Sequence, residues 1–435
     1  MAVLIVRKTE GLKGTVEAPP SKAYTHRAVI AASLSDGESR IRRPLFCEDT
    51  LATIEACKML GARIDVDDDE KALRVIGAPK PATPPDVINC GNSGSTIRFV
   101  TPICALAEGI SILTGGESLR RRPMGPLLKA LRSLGVECYS ARRDGYPPVI
   151  VFGGGIRGGD ASIRGDVSSQ FISGLIFATP KAERETRITL TSPLESKPYV
   201  EMTINVVRRH GVEVSVQEDY GHLMVPPKQE YKPSDHMIEG DYSSASFILA
   251  AAAITDSKVR VENLPAETLQ GDRLIVDILR RMNVRVNVGE DYVEVMGVKG
   301  VLEAITVNLK DNPDLVPVCA ALAASARGRT VIKGVRRLRF KESDRLVSIS
   351  SEMAKLGARV KVEDDKLEVV GGELRGAEID PRNDHRIAMA CAVAALRAEG
   401  ETRILGIECI NKSYPNFVRD IQLLGGDLSE RQLHR

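Results

Sequence analysis

The sequence predicts an α/β protein of two domains, each built from three βαβαββ units, and two observations carry that prediction. A helix that ends in a small turn and runs into a hairpin recurs six times, about 72 residues apart, which is the mark of a repeat architecture. It stands at Leu60-Gly61-Ala62, Leu134-Gly135-Val136, His210-Gly211-Val212, Met282-Asn283-Val284, Leu356-Gly357-Ala358 and Leu424-Gly425-Gly426. The ends of the chain supply the second observation. The sixth hairpin stops after Gly426-Asp427-Leu428, while Val3-Leu4-Ile5-Val6 forms a strand with no place in the first unit. The first strand is therefore expected to complete the last unit. One domain is then discontinuous, residues 1–20 with 240–435, and the other is 21–239, each long enough for its own core.

The elements follow in order. Gly, or once Asn, sits where a helix C-cap needs positive φ. Upstream of each turn lies an alternating run: Arg40-Ile41-Arg42, Ile110–Leu113, Thr186–Leu190, Lys258–Val261, Thr330–Lys333 and Thr402–Leu405. Period two identifies these as strands. Before the strands come Ala-rich apolar helices such as Ala28–Ala32, Ala105–Ala107, Phe247–Ala253 and Val318–Leu322. One unit thus reads strand, helix, strand, helix, hairpin. Asp67-Asp68-Asp69-Glu70 reads as a solvated hairpin tip. Gly153-Gly154-Gly155 with Gly158-Gly159 reads as a connector, because a nucleotide fingerprint needs strand, Gly loop and then helix.

Composition narrows the function. Sixty basic and 58 acidic residues nearly cancel, so the chain has no overall field of the kind nucleic-acid binders use. The longest apolar stretches, Ser246–Ile254 and Leu315–Ala326, are too short or interrupted to span a bilayer, and the N-terminus lacks a signal-peptide pattern. A cytoplasmic monomer is expected, with no membrane or nucleic-acid partner. Eight cysteines show no Cys-x-x-Cys pair, and Cys57, Cys104, Cys319 and Cys391 fall among apolar helical residues, so buried free thiols are expected. Six histidines lack metal-ligand spacing, and neither a metal nor a cofactor is expected.

The chemistry gathers at helix starts. First helices open at Ser21-Lys22, Asn92-Ser93-Gly94-Ser95, Ser168-Ser169-Gln170, Ser243-Ser244, Asn312-Pro313-Asp314 and Asn383-Asp384-His385-Arg386. Second helices open at Glu48-Asp49, Arg121-Arg122-Pro123, Ser196-Lys197-Pro198, Gln270-Gly271-Asp272, Lys341-Glu342-Ser343-Asp344-Arg345 and Lys412-Ser413-Tyr414-Pro415. Ser243, Ser244, Asp49 and Asp272 are read as helix caps. Capping does not explain Lys22, Arg122, Lys341, Arg345, Arg386 and Lys412, since a cation at a helix N-terminus opposes the dipole. Convergence on anions does explain them, because N–H groups, dipoles and cations then act together.

Taken in order, Pro20-Ser-Lys-Ala-Tyr-Thr-His-Arg27, Gly91-Asn-Ser-Gly-Ser-Thr-Ile-Arg98, Arg122-Pro-Met-Gly125, Ser168-Ser-Gln-Phe171, Ser196-Lys-Pro-Tyr199, Phe340-Lys-Glu-Ser-Asp-Arg345, Asn383-Asp-His-Arg-Ile-Ala-Met389 and Lys412-Ser-Tyr-Pro415 resemble the 5-enolpyruvylshikimate-3-phosphate synthase family over essentially the whole chain. The resemblance implies the two-domain enolpyruvyl transferase fold with the active site in the cleft between domains. It implies transfer of the enolpyruvyl group of phosphoenolpyruvate to the 5-hydroxyl of shikimate 3-phosphate, with release of phosphate, on the route to chorismate and the aromatic amino acids.

By the same resemblance, Lys22, Gly94, Arg122, Gln170, Arg345, Arg386 and Lys412 hold phosphoenolpyruvate, and Lys22, Arg27, Ser168, Ser169, Gln170, Ser196, Asp314 and Lys341 hold shikimate 3-phosphate. Asp314 and Glu342 are implied as the proton-transfer pair, with Lys22 a rival for either step. Two positions depart from the family: Ala23 replaces its usual Ser, and Arg337 replaces a frequent Asn. The enolpyruvyl transferase acting on UDP-N-acetylglucosamine is the nearest alternative. It usually carries a reactive Cys in the loop aligned with Thr114–Arg122, where this chain has none. A ring-shaped DNA clamp is the non-enzymatic alternative; it needs a basic lining, whereas these cations alternate with acids.

Overall fold

The computed structural model describes residues 2–67, 70–297 and 302–432, so Asp68 and Asp69 of the expected acidic tip lie outside the described residues. The chain divides into two compact units, Pro20–Ile238 and Met1–Pro19 with Glu239–Arg435. Among the described residues each unit holds three four-stranded sheets with one common strand order. Ile88–Asn89, Ile110–Thr114, Val149–Phe152 and Glu137–Ser140 illustrate it: a short leading strand pairs parallel, and the hairpin strands pair antiparallel.

Ala2–Arg7 occupies the hairpin position of the last sheet. It pairs with Glu401–Leu405 through Val3↔Leu405 and with Leu428–Gln432 through Val6↔Leu428, as the unassigned first strand predicted. The leading strands of two other sheets are a surprise. Lys13–Glu17 enters the Lys22–Ser33 helix, yet it pairs with Lys258–Glu262; His236–Met237 enters the Tyr242–Ile254 helix, yet it pairs with Glu38–Arg42. A strand followed by its own helix is thus not always in the sheet of the strand after that helix.

Every one of the six expected turns has positive φ: 102° at Gly61, 86° at Gly135, 76° at Gly211, 68° at Asn283, 106° at Gly357 and 97° at Gly425. In the discontinuous unit the Tyr242–Ile254, Val316–Ala324 and His385–Ala395 helices pack on one another and are buried at every residue. A helix apolar all round belongs inside a core, and alanine lets such helices approach closely. The other unit is centred on the Gly94–Cys104 and Ser169–Ala178 helices. All eight cysteines are free and buried, and burial pushes the Cys57 and Cys104 thiols up to about 11 and about 12. No described helix is long and apolar enough to cross a membrane.

Candidate active site

In the Pro20–Ile238 unit, Ser21 caps the Lys22–Ser33 helix by accepting from the Tyr24 N–H at 3.4 Å, which places Lys22 at the first helical position. Lys22 Nζ donates to Asp49 Oδ2 at 2.9 Å, and Asp49 is itself in the first turn of the Glu48–Met59 helix. Asp49 was expected as a cap; Cys47 occupies that position, and Asp49 is the buried counter-ion of Lys22.

Ser93 caps the Gly94–Cys104 helix. A Cβ at Gly94 would lie 2.7 Å from Arg122 Nη1 and 3.6 Å from both Arg98 Nη1 and Gln170 Oε1, so only glycine leaves the guanidinium where it is. Arg98 Nη1 donates to Gln170 Oε1 at 2.7 Å and to Ser168 Oγ at 3.4 Å, while Gln170 Nε2 donates to Ser95 Oγ at 2.9 Å. Ser168 caps the helix that Ser169 begins. Three of the expected positions, Gly94, Arg122 and Gln170, are therefore neighbours. Arg27 is buried and donates to Thr203 Oγ1 at 2.8 Å, Ala23 O at 2.8 Å and Tyr199 O at 2.9 Å, with its guanidinium over the Phe99 and Tyr199 rings. Burial pushes it down to about 10, still a cation at neutral pH. Ser196 holds the left-handed conformation, φ 57°, at the cap of the Lys197–Arg209 helix.

The discontinuous unit gathers acids and cations around one side chain. Arg345, 1% exposed, donates from Nε to Asp384 Oδ2 at 2.9 Å, from Nη1 to Asp314 Oδ1 at 2.9 Å and from Nη2 to Glu342 Oε2 at 2.7 Å, with a longer fourth bond to Asp384 Oδ1. These bonds engage four of its five N–H groups. Asp314 also faces Lys341 Nζ at 3.4 Å and Arg386 Nη2 at 3.2 Å, and Lys412 Nζ lies 4.0 Å from Glu342 Oε1. Burial alone would raise Asp314, but Arg386, Lys341 and Arg345 outweigh it and hold the carboxyl well below the usual range. Burial pushes the Lys341 ammonium down to about 8 despite the opposing pull of Asp314.

The cation positions need one correction. Lys22, Arg345 and Arg386 lie in the first turn of an α-helix, but Arg122, Lys341 and Lys412 do not. Arg122 sits between the Glu117–Arg120 and Gly125–Ser133 helices, Lys341 follows the Arg336–Phe340 3₁₀ turn, and Lys412 ends the Ile407–Lys412 3₁₀ turn. The next helices start later: Asp344 caps Arg345–Lys355 by accepting from the Leu346 and Val347 N–H groups, and Asn416 precedes Phe417–Leu423 without a side-chain cap bond. Ser243 and Ser244 are not caps either, since Asp241 caps that helix and accepts from the Ser244 N–H at 3.1 Å. Asp272 lies in the Gly271–Leu274 3₁₀ turn, whose cap is Gln270. Arg337, the family departure, donates to the Lys310 carbonyl at 2.8 Å.

Residues 6–421 match the model of the EPSP synthase (3-phosphoshikimate 1-carboxyvinyltransferase) family. The chain belongs to that family. Its relatives include the 3-phosphoshikimate 1-carboxyvinyltransferase of Methanothermobacter thermautotrophicus, 46% identical over 97% of this chain and 98% of its own length. That of Methanocaldococcus jannaschii is 44% identical over 98% and 99%. Among solved structures, the EPSP synthase of Acinetobacter baumannii superposes with a TM-score of 0.83 at 25% identity, covering 99% of this chain and 100% of that one. The enolpyruvyl transferase NikO from Streptomyces tendae shares the fold, with a TM-score of 0.80 at 19% identity over 100% and 99%.

Within this EPSP synthase family member, three charged residues bind expected site residues in a way their local sequence does not report. Arg98 closes the Gly91–Arg98 motif, but an arginine in the second turn of an apolar helix gives no local sign of pointing at Gln170. Asp49 and Asp384 were open to a cap reading because Asp at a helix start serves either purpose. Asp384 does both, capping the His385–Ala395 helix at the Arg386 N–H and binding Arg345. Burial at 0% decides its second role, and no periodicity reports that.

Proposed function

We infer that the chain transfers the enolpyruvyl group of phosphoenolpyruvate to the 5-hydroxyl of shikimate 3-phosphate and releases phosphate. The observation that carries this reading is the pairing of Asp314 and Glu342 on a single guanidinium within a ring of cations, in a chain that matches the family model over residues 6–421. Addition forms a bond from the 5-oxygen to the central carbon of the donor, removes the hydroxyl proton and protonates the methylene carbon. Elimination from the tetrahedral intermediate then breaks the carbon–oxygen bond to phosphate and returns a methyl proton. One group must act as base and another as acid, with the demand reversed in the second step.

Asp314, held ionised by three cations, suits the hydroxyl proton, and Glu342 suits the carbon proton, with Lys22 the rival for either. Lys22, Arg122, Gln170, Arg345, Arg386 and Lys412 are assigned to phosphoenolpyruvate, with Gly94 leaving room beside Arg122. Lys22, Arg27, Ser168, Ser169, Gln170, Ser196, Asp314 and Lys341 are assigned to shikimate 3-phosphate. Phosphate release from phosphoenolpyruvate with shikimate 3-phosphate, compared with UDP-N-acetylglucosamine, tests the whole reading, and turnover with the nucleotide sugar alone would sink it.

Two expected outcomes bear on these assignments. Gly94→Ala forces the Arg122 guanidinium aside, and it should raise the KM for phosphoenolpyruvate by about tenfold, or ~1.4 kcal/mol, with a smaller effect on kcat. An unchanged donor KM would separate Gly94 from that site. Lys341 loses its charge as pH rises through about 8, so kcat/KM for shikimate 3-phosphate should fall above that pH. The limiting slope is about tenfold per pH unit, because kcat/KM reports the free enzyme. Lys341→Arg should remove this limb, and a wild-type profile flat to high pH would take Lys341 out of acceptor binding.

A further inference from the structure

Asp272 is 2% exposed and has no part in the reaction set out above. Both of its oxygens are engaged by neutral donors: Ser243 Oγ, from the Tyr242–Ile254 helix, donates to Oδ2, and Asn312 Nδ2 donates to Oδ1 at 3.2 Å. Asn312 immediately precedes the Pro313–Leu315 turn that presents Asp314. The charged groups bearing on Asp272 are Asp314 from that turn and Arg386 from the His385–Ala395 helix, while the Val316–Ala324 helix faces it with the Cys319 thiol. Burial first, and then Asp314, push its carboxyl up to about 6.

Proton transfer needs the base within hydrogen-bond reach of the hydroxyl, and a displacement of about 1 Å can cost 10²-fold in rate. Asp314 is carried on a three-residue turn, so what fixes that turn fixes the base.

We propose that Asp272 is a positioning residue for the transfer: through Asn312 it fixes the turn that carries Asp314. This rests on the reading of Asp314 as the base. The test compares Asp272→Asn, Asp314→Asn and the double variant for kcat, both KM values and thermal unfolding. Asp272→Asn keeps the size of the side chain but offers one oxygen to two donors, so Ser243 or Asn312 loses its acceptor.

It should lower kcat by about tenfold or more with KM values within about threefold, since a base displaced by about 1 Å loses rate while the substrates still bind. The double variant should be no slower than Asp314→Asn alone, because Asp272 acts through Asp314. A packing role alone would lower the unfolding temperature and leave kcat in place. If Asp314→Asn is slow while Asp272→Asn matches the parent in kcat, or if the two losses multiply, the proposal falls and the reading of Asp314 stands. If Asp314→Asn keeps its kcat, that reading falls and takes the proposal with it. Should Asp272→Asn fail to fold, Asn312→Ala decides: it leaves the charge, cuts the link to the turn and should lower kcat by about tenfold at retained KM, whereas an unaltered kcat overturns the proposal.

Discussion

Replacing Asp314 with Asn is expected to lower kcat by roughly 10²- to 10⁴-fold, the range of a positioned acid or base, while both KM values stay within a few-fold. Asparagine keeps the size of the side chain, and an amide oxygen in the place of Oδ1 can still accept from Arg345 Nη1 and Lys341, while the contact of Oδ2 with Arg386 is lost. It cannot take the hydroxyl proton. Glu342→Gln should behave alike, since its amide oxygen can still accept from Arg345 Nη2. Steady-state kinetics with both substrates varied, and single-turnover formation of the tetrahedral intermediate, separate the two roles. Loss of addition in one variant and of elimination in the other would divide the labour between them, and near-normal kcat in either would strip that residue of its role.

What was legible in the sequence, and what was not, follows from how far each feature depends on the chain beyond its own neighbourhood. Positive φ at Gly61, Gly135, Gly211, Asn283, Gly357 and Gly425 is a local demand that only a few residue types meet, so the turns could be read one by one. The strand Ala2–Arg7 was placed by elimination, because the last hairpin was visibly short of one strand. The partners of Lys13–Glu17 and His236–Met237 were out of reach. Each leads into a helix with an adequate strand of its own beyond it, and period two says that a segment is a strand without saying whose neighbour it is. The site shows the same division. Lys22, Arg345 and Arg386 stood out because they defy the helix dipole, whereas Asp49 and Asp384 were hidden by agreeing with it.

Arg345→Lys should weaken the enzyme in two ways at once, because this side chain ties together the buried carboxylate of Asp384 and the half-buried ones of Asp314 and Glu342. A guanidinium reaches Asp384, Asp314 and Glu342 from three different nitrogens, 2.9, 2.9 and 2.7 Å away, in a fixed plane. A single ammonium on a flexible stem cannot stand at all three points. The charge survives, so each lost bond should cost about 1.5 to 3 kcal/mol, as for hydrogen bonds to charged groups. Arg345 is also assigned to phosphoenolpyruvate, so the KM for that substrate should rise by about tenfold or more. Asp314 and Glu342 lose their common anchor, so kcat should fall with it, since misplacement of about 1 Å can cost 10²-fold. Arg345→Met removes the charge too, and breaking a buried pair from one side destabilises by about 3 to 5 kcal/mol. Thermal unfolding should therefore rank the parent above Arg345→Lys and Arg345→Met last. A rise in donor KM at full kcat would mean that Arg345 only grips the substrate, and a lysine variant with unaltered KM and kcat would remove Arg345 from the site.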